Sequence, residues 1–88
     1  MKHASGAALD RLEPLLRWLR KREALKEKSR GCFYRGGSGF LHFHEHGDEL
    51  FADLRQGADF VLFPATTAAD RNRLLKHVDV ALARTRRN

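Results

Sequence analysis

Phe40-Leu41-His42-Phe43-His44-Glu45-His46 is followed directly by Gly47-Asp48 and then by Glu49-Leu50-Phe51-Ala52-Asp53-Leu54-Arg55. Alternation of this kind is typical of β-strands, in which successive side chains point to opposite faces of the sheet. Gly-Asp is a dipeptide that suits a two-residue hairpin turn. The stretch therefore predicts an antiparallel hairpin, with three histidines on one face.

The turn also predicts the register of the hairpin. His46 should pair with Glu49, His44 with Phe51, His42 with Asp53 and Phe40 with Arg55. A second turn at Gly57-Ala58 adds Phe60-Val61-Leu62-Phe63 as the next strand, with Val61 beside Leu54. The expected core face holds Leu41, Phe43, Leu50, Ala52, Leu54, Val61 and Phe63. The expected opposite face holds His42, His44, His46, Glu49 and Asp53, together with Phe40, Phe51, Phe60 and Leu62.

Two amphipathic helices are predicted around this hairpin. Leucines at steps of three and four predict a helix from about Leu9 to Lys26, with Asp10 as its cap and Pro14 in its first turn. Thr67-Ala68-Ala69-Asp70 has the spacing of a capping box at the start of a second helix. Gly31–Arg35 is expected to be a short strand. Residues 1–88 are thus predicted to form a single α+β domain, a four-stranded antiparallel meander with both helices on one face. Residues 1–8 are expected to be a flexible lead-in and residues 84–88 a basic tail.

Cysteine content and hydropathy limit the cellular locations that suit this protein. The single cysteine, Cys32, excludes an internal disulfide and suits a reducing compartment. No apolar run approaches the roughly 20 residues that span a bilayer. We therefore expect a cytoplasmic protein with no membrane partner.

The net charge of +6 is unevenly distributed along the chain. Residues 1–35 and 66–88 are basic, with net charges of +6 and +4, whereas residues 36–65 carry −4. The basic ends predict two alternatives: a solvated surface that keeps the protein in solution, or a surface that binds nucleic acid. Arg17, Arg20, Lys21, Arg84 and Arg86 are the candidate phosphate contacts, but the sequence contains no recognised nucleic-acid-binding motif.

The histidine face suggests a metal site. His42 and His44 should project from the same face about 7 Å apart, and Asp53 should lie across from His42. Two imidazoles and a carboxylate are suitable ligands for Zn²⁺ or another divalent ion. The alternative is an ordinary cross-strand arrangement, in which His42 pairs with Asp53 and His44 packs on Phe51.

Two further interpretations concern the same face. A histidine–aspartate pair could act as a general base, but no nucleophile has an obvious relation to it, so we predict no catalytic residues. An uncovered face that carries Phe40, Phe51, Phe60 and Leu62 would instead suit a protein partner or a homodimer. A non-enzymatic binding module that uses this face is the leading hypothesis from the sequence, with metal binding second and nucleic-acid contact third.

Several segments of the sequence resemble those of a set of small bacterial proteins of unknown function. The similar segments are Arg30–Tyr34, Phe40–Glu45, Leu50–Leu54 and Phe63–Thr67, in the same order. The resemblance extends from residue 30 to about residue 82. The order of the elements is also loosely similar to YjbR-like and luciferase-domain small folds. The resemblance implies an α+β fold and a bacterial cytoplasmic setting, and it implies no reaction and no catalytic residue.

Overall fold

The structure is a computed structural model that describes residues 1–84. In chain order its elements are β1 (Lys2–His3), α1 (Gly6–Arg20), β2 (Lys26–Ser29), β3 (Cys32–Arg35), β4 (Ser38–His46), β5 (Glu49–Gln56), β6 (Asp59–Pro64) and α2 (Ala68–Arg84). Neither helix in this range is long and apolar enough to cross a membrane.

The chain forms an α+β structure whose strands are all antiparallel, as predicted, but the sheet has six strands instead of four. Five strands follow one another in the order β2-β3-β4-β5-β6. The short β1 pairs with His44 and Glu45 of β4, beyond the segment of β4 that β3 covers. The expected meander is therefore extended by one strand at its edge and by a second strand beside β4.

The register of the central hairpin is confirmed. Between β4 and β5, His42 pairs with Asp53, His44 with Phe51 and His46 with Glu49. Gly47 has a φ of +60°, a value that glycine adopts without strain at the first position of a two-residue turn. The next hairpin also has the predicted register, with Val61 opposite Leu54.

The first helix begins earlier and ends earlier than predicted. Ser5 is its N-cap, and the Ser5 hydroxyl accepts a hydrogen bond from the backbone N–H of Ala8 at 3.3 Å. The expected cap, Asp10, and Pro14 both lie inside the helix, and the helix ends at Arg20. The lead-in expected at residues 1–8 contains β1 and the first turn of α1 instead.

β2 begins at Lys26, the residue expected to end the first helix. Lys26–Ser29 pairs with β3, although its sequence, Lys-Glu-Lys-Ser, has no apolar residue that would indicate a strand. Glu27 anchors the segment, because its carboxylate accepts hydrogen bonds from the Gly31 N–H at 2.8 Å and from the Arg20 guanidinium. Backbone pairing and this ion pair, rather than a buried face, hold β2 in place.

The second helix begins at the predicted capping box. Its reciprocal hydrogen bonds are present, because the Asp70 N–H donates to the Thr67 hydroxyl and the Thr67 N–H donates to the Asp70 carboxylate, both at 3.0 Å. The tail expected at residues 84–88 begins inside α2 at Arg84, and residues 85–88 lie outside the described residues.

Both helices contribute to the same core as the predicted apolar face of the sheet. Its larger buried side chains are Leu12, Leu15, Leu16 and Leu19 from α1, Phe33, Phe40, Leu41, Phe43, Leu50 and Leu54 from the sheet, and Leu74 and Val78 from α2. Val61 and Phe63 belong to the same face by register but lie on the edge strand. Phe63 is half-buried and Val61 is exposed there, since neighbouring strands cover them from one side only.

Phe40 does not lie on the face that the sequence predicts for it. It was expected on the uncovered face, yet its side chain is only 2% exposed and belongs to the core. The reason is a bulge in β4: Phe33 pairs with Leu41 and Tyr34 pairs with Gly39, so Phe40 is an extra residue without a partner in β3. The bulge lets two successive residues, Phe40 and Leu41, both contribute to the core.

Ion pairs tie the end of α1 to the segment that contains β2. The Glu13 carboxylate accepts hydrogen bonds from Arg20 at 2.6 Å and from Arg30 at 2.9 Å. These two guanidinium groups lower the pKa of Glu13 from 4.5 to about 2. Because the folded-state pKa is the lower one, the stabilisation is present above the unfolded-state pKa and is lost as the pH falls towards the folded-state pKa.

This shift predicts a pH dependence of stability that Glu13 controls. We expect the melting temperature of the native protein to fall more steeply than that of Glu13→Gln as the pH is lowered from about 5 to about 2.5. Thermal melts followed by circular dichroism would measure the difference, with the exposed Glu23 changed to Gln as the matched control. Equal slopes for the native protein and Glu13→Gln would contradict the prediction.

Candidate metal centre

The structure brings His42, His44 and Asp53 together on the sheet face opposite the core. One potential ligand atom from each residue lies within 4.8 Å of the other two. The Nε2 atom of His44 is 2.8 Å from Asp53 Oδ2, and the Nε2 atom of His42 is 3.4 Å from the same oxygen. Both imidazoles therefore converge on one carboxylate oxygen.

The two imidazole rings are closer to each other than strand spacing alone predicts. Alternate residues of a strand are about 7 Å apart along the backbone, whereas the ring centroids of His42 and His44 are 5.0 Å apart. The rings are inclined to each other by 77°, so that one edge approaches the other face. The side-chain conformations thus bring the two rings closer together than the backbone spacing of their residues.

The surroundings of His42 favour the form of imidazole that binds metals. Partial burial lowers the pKa of His42, the neighbouring imidazoles of His44 and His3 lower it further, and the Asp53 carboxylate opposes the shift. A lowered pKa means a neutral ring at neutral pH, with a lone pair available to a metal ion. The contact between His42 and Asp53 is accordingly an approach of neutral imidazole to carboxylate rather than an ion pair.

The second ring nitrogen of His44 has no hydrogen-bond partner in the part of the chain that the structure describes. Its Nδ1 atom is buried, and no donor or acceptor among the described residues contacts it. Metal-bound histidines usually donate their remaining N–H to a carboxylate or a carbonyl, which fixes the ring and makes it a better ligand. The hydrogen bond between His44 Nε2 and Asp53 therefore orients the ring without such support at Nδ1.

A third imidazole, that of His3, lies beside the cluster and was not expected from the sequence. His3 pairs with His44 in the register of β1 and β4, and the centroids of their stacked rings are 5.1 Å apart. The ring of His3 is also 6.1 Å from that of His42. A strand of two residues has no periodicity, so no signal in the sequence placed His3 here.

A shallow cavity of about 250 Å³ adjoins the cluster. Its lining includes His3 and His42, with Cys32, Tyr34 and Phe60 among the other residues. The ring of Phe60 is 5.3 Å from that of His42, and the guanidinium of Arg55 lies 4.6 Å above Phe60. One side of the candidate site is therefore open to a small molecule or to water.

The aromatic surface expected on this face is smaller than predicted. Phe60 and Leu62 are 39% and 45% exposed, and Phe51 is half-buried beside His44. Phe40 does not belong to it, because the bulge in β4 turns this side chain into the core. The apolar surface that remains is centred on the edge strand β6.

The basic residues named from the sequence lie next to acidic or aromatic groups. Arg20 contacts Glu13 and Glu27, Arg17 lies 3.7 Å from Glu13, and the Lys21 ammonium lies 4.6 Å from the centroid of the Trp18 ring. Arg84 is at the end of α2, and Arg86 lies outside the described residues. Partners of this kind compensate much of the charge that a phosphate backbone would need.

A larger cavity, of about 720 Å³, lies elsewhere between α2 and the turn that joins β5 to β6. Its lining combines apolar side chains with those of Gln56, Arg84 and His77, and the His77 ring packs against Phe63 at 4.6 Å. Within the described residues, the only group of three histidine, cysteine or acidic side chains close enough to hold a metal ion is that of His42, His44 and Asp53. The candidate metal ligands and the larger cavity therefore lie in different parts of the molecule.

No protein-family model, curated protein or solved structure in our comparisons matches this chain. The resemblance to small bacterial proteins and its cytoplasmic setting therefore stay predictions. The geometry of the histidine cluster is the basis on which a function can be argued.

Proposed function

We propose that this protein binds a divalent transition-metal ion, with Zn²⁺ as the best fit, through His42, His44 and Asp53. The observation that carries the proposal is the convergence of two imidazole nitrogens and one carboxylate oxygen within 4.8 Å of one another. Two nitrogen ligands and one oxygen ligand suit zinc and its neighbours in the first transition row, whereas Ca²⁺ and Mg²⁺ prefer oxygen ligands alone. Asp53 would supply a negative charge to balance that of the metal ion. The two imidazoles, each neutral when bound, would give the metal–nitrogen bonds their covalent character.

The affinity should be lower than that of a fully supported site. A metal bound to Nε2 of His44 leaves a proton on the buried Nδ1, and no residue in the described range 1–84 accepts a hydrogen bond from that atom. Removal of such outer partners typically costs about 10- to 100-fold in metal affinity. We therefore expect a metal that binds reversibly and exchanges.

The test is a titration of the intact protein with Zn²⁺ at neutral pH, followed by two-dimensional NMR of the backbone amides and the imidazoles. Saturable shifts at one equivalent, strongest at His42, His44 and Asp53, are expected. A parallel titration with Mg²⁺ serves as the control for non-specific charge effects. Weak shifts that scatter over the surface, or the same response to both ions, would contradict the proposal.

Self-association through β6 is a second candidate function, which retains the interaction module expected from the sequence. β6 ends the sheet, and Phe60, Val61 and Leu62 are between 38% and 45% exposed. The opposite edge, β2, carries Lys26, Glu27 and Lys28, and charges of this kind discourage pairing with another chain. We infer that both helices cover the core face, so that a second copy could add its own β6 along the open edge without a steric obstacle.

This candidate predicts that Leu62 controls the oligomeric state. Leu62 is opposite Asp53 on the uncovered face. A lysine there would place a charge among the exposed apolar side chains of β6 that the two copies would share. Light scattering after size exclusion should give a dimer for the native protein and a monomer for Leu62→Lys. Val80→Lys, at a similarly exposed position on α2, is the matched control and should remain a dimer. A native protein that is monomeric at high concentration would overturn this second proposal and leave the metal site untouched.

A further inference from the structure

We propose that His3 is the fourth protein ligand of the metal, so that metal binding closes the site and fastens β1 to the sheet. This inference rests on the proposed metal function. Zinc in proteins is almost always four-coordinate, and His42, His44 and Asp53 supply three ligands. The fourth position is taken either by water, as in catalytic sites, or by another side chain, as in structural sites.

The spacing of the three imidazoles matches a shared ion. With Zn–N bonds of about 2.0 Å and a tetrahedral arrangement, imidazoles on one zinc ion have ring centroids roughly 5 Å apart. The observed separations are 5.0 Å for His42 and His44, 5.1 Å for His3 and His44, and 6.1 Å for His3 and His42. The backbone thus places three rings at the distances that coordination requires, apart from a small excess between His3 and His42.

The ring of His3 has to turn before it can coordinate. It stacks on His44 at an interplanar angle of 30°, and its nitrogens are not among the atoms that lie within 4.8 Å of one another. The side chain of His3 is exposed and lines the open cavity, so rotation about its side-chain bonds meets no packed core. The expected movement is one of the ring, with the backbone of β1 already in place.

The backbone on both sides of His3 is already positioned along β4. The Ala4 N–H donates to the Phe43 carbonyl at 3.1 Å. Ser5 donates to the Glu45 carboxylate from its N–H at 2.9 Å and from its hydroxyl at 2.8 Å, and Lys2 pairs with the same carboxylate at 3.6 Å. A ligand on a segment with these anchors loses little conformational freedom when it binds, which favours coordination over a bound water.

The test compares the zinc dissociation constants of the native protein, His3→Ala and His46→Ala by competition with a chelator of known affinity. His46 is an exposed histidine of the same sheet and is the matched control. We expect His3→Ala to weaken binding by at least about tenfold, and His46→Ala by less than about twofold. If both variants behave alike while the native protein binds one zinc, the three-ligand site stands and His3 is not a ligand. A native protein that binds no zinc refutes the proposed function, and this inference with it.

Amide hydrogen exchange supplies a second readout. Zinc should slow exchange at the Ala4 N–H in the native protein and in His46→Ala, because a bound His3 prevents β1 from separating from β4. The same exchange rate with and without zinc in the native protein, at saturating metal, would overturn the proposal that His3 is fastened by the ion.

Discussion

Replacing His44 with alanine is expected to abolish zinc binding in the range where the native protein is saturated. His44 is the best-oriented ligand, since its Nε2 atom lies 2.8 Å from Asp53 Oδ2 and its side chain is more buried than those of His42 and Asp53. Loss of an outer partner alone costs about 10- to 100-fold, so loss of His44, a ligand of the cluster that is already brought together, should cost more than about 100-fold. Calorimetric titration with Zn²⁺ measures the effect.

His46→Ala is the control for this substitution, because His46 is on the same strand and the same sheet face but near the turn, away from Asp53. It should bind zinc as the native protein does. Asp53→Asn keeps the size of the side chain and one acceptor oxygen but removes the charge, and it should also lose most of the affinity. Asp59→Asn, on the neighbouring strand, is its matched control. Undiminished binding by a folded His44→Ala would refute the assignment of the site.

The central part of the site could be predicted because a two-residue turn leaves no freedom in the pairing of its strands. Once Gly47-Asp48 is assigned as the turn, His42 must lie opposite Asp53, and the structure has this pair. The alternation of apolar and polar residues then selects the face. The sequence does not determine the rotamers that bring the rings of His42 and His44 to 5.0 Å, since these depend on twist and on neighbouring side chains.

His3 and the peripheral strands β1 and β2 could not be predicted either, and the reason is a different one. β1 has two residues and β2 is entirely polar, so neither has a hydrophobic period to detect. Polar side-chain contacts hold both strands: β1 through Ser5 and Glu45, forty positions apart, and β2 through Arg20 and Glu27, seven positions apart. The position of Pro14 also predicts a later start for the first helix than the structure has, because a proline inside a helix is costly and favours the first turn.

Replacing Phe40 with alanine is expected to destabilise the protein far more than replacing Phe60 with alanine. The sequence pattern assigned both residues to the same uncovered face, whereas the structure exposes 2% of Phe40 and 39% of Phe60. Truncation of a buried phenylalanine removes its burial energy and leaves a cavity, at a cost of about 3–5 kcal/mol. Phe60 contacts His42 and Arg55 at the surface, so its loss should cost about 1 kcal/mol or less.

Urea unfolding at low protein concentration, where association through β6 does not contribute, would give the two free energies of unfolding. Phe40→Leu provides a milder variant if Phe40→Ala does not fold, and it should still be less stable than Phe60→Leu. Similar small losses for both alanine variants would mean that Phe40 faces solvent and that β4 has no bulge. The bulge matters for function, because Phe40 and Leu41 mark the point where β4 departs from simple alternation, directly before His42. If the bulge were absent, the alternation would continue unbroken through Phe40, and this phenylalanine would be exposed next to the metal ligands instead of supporting their strand from the core.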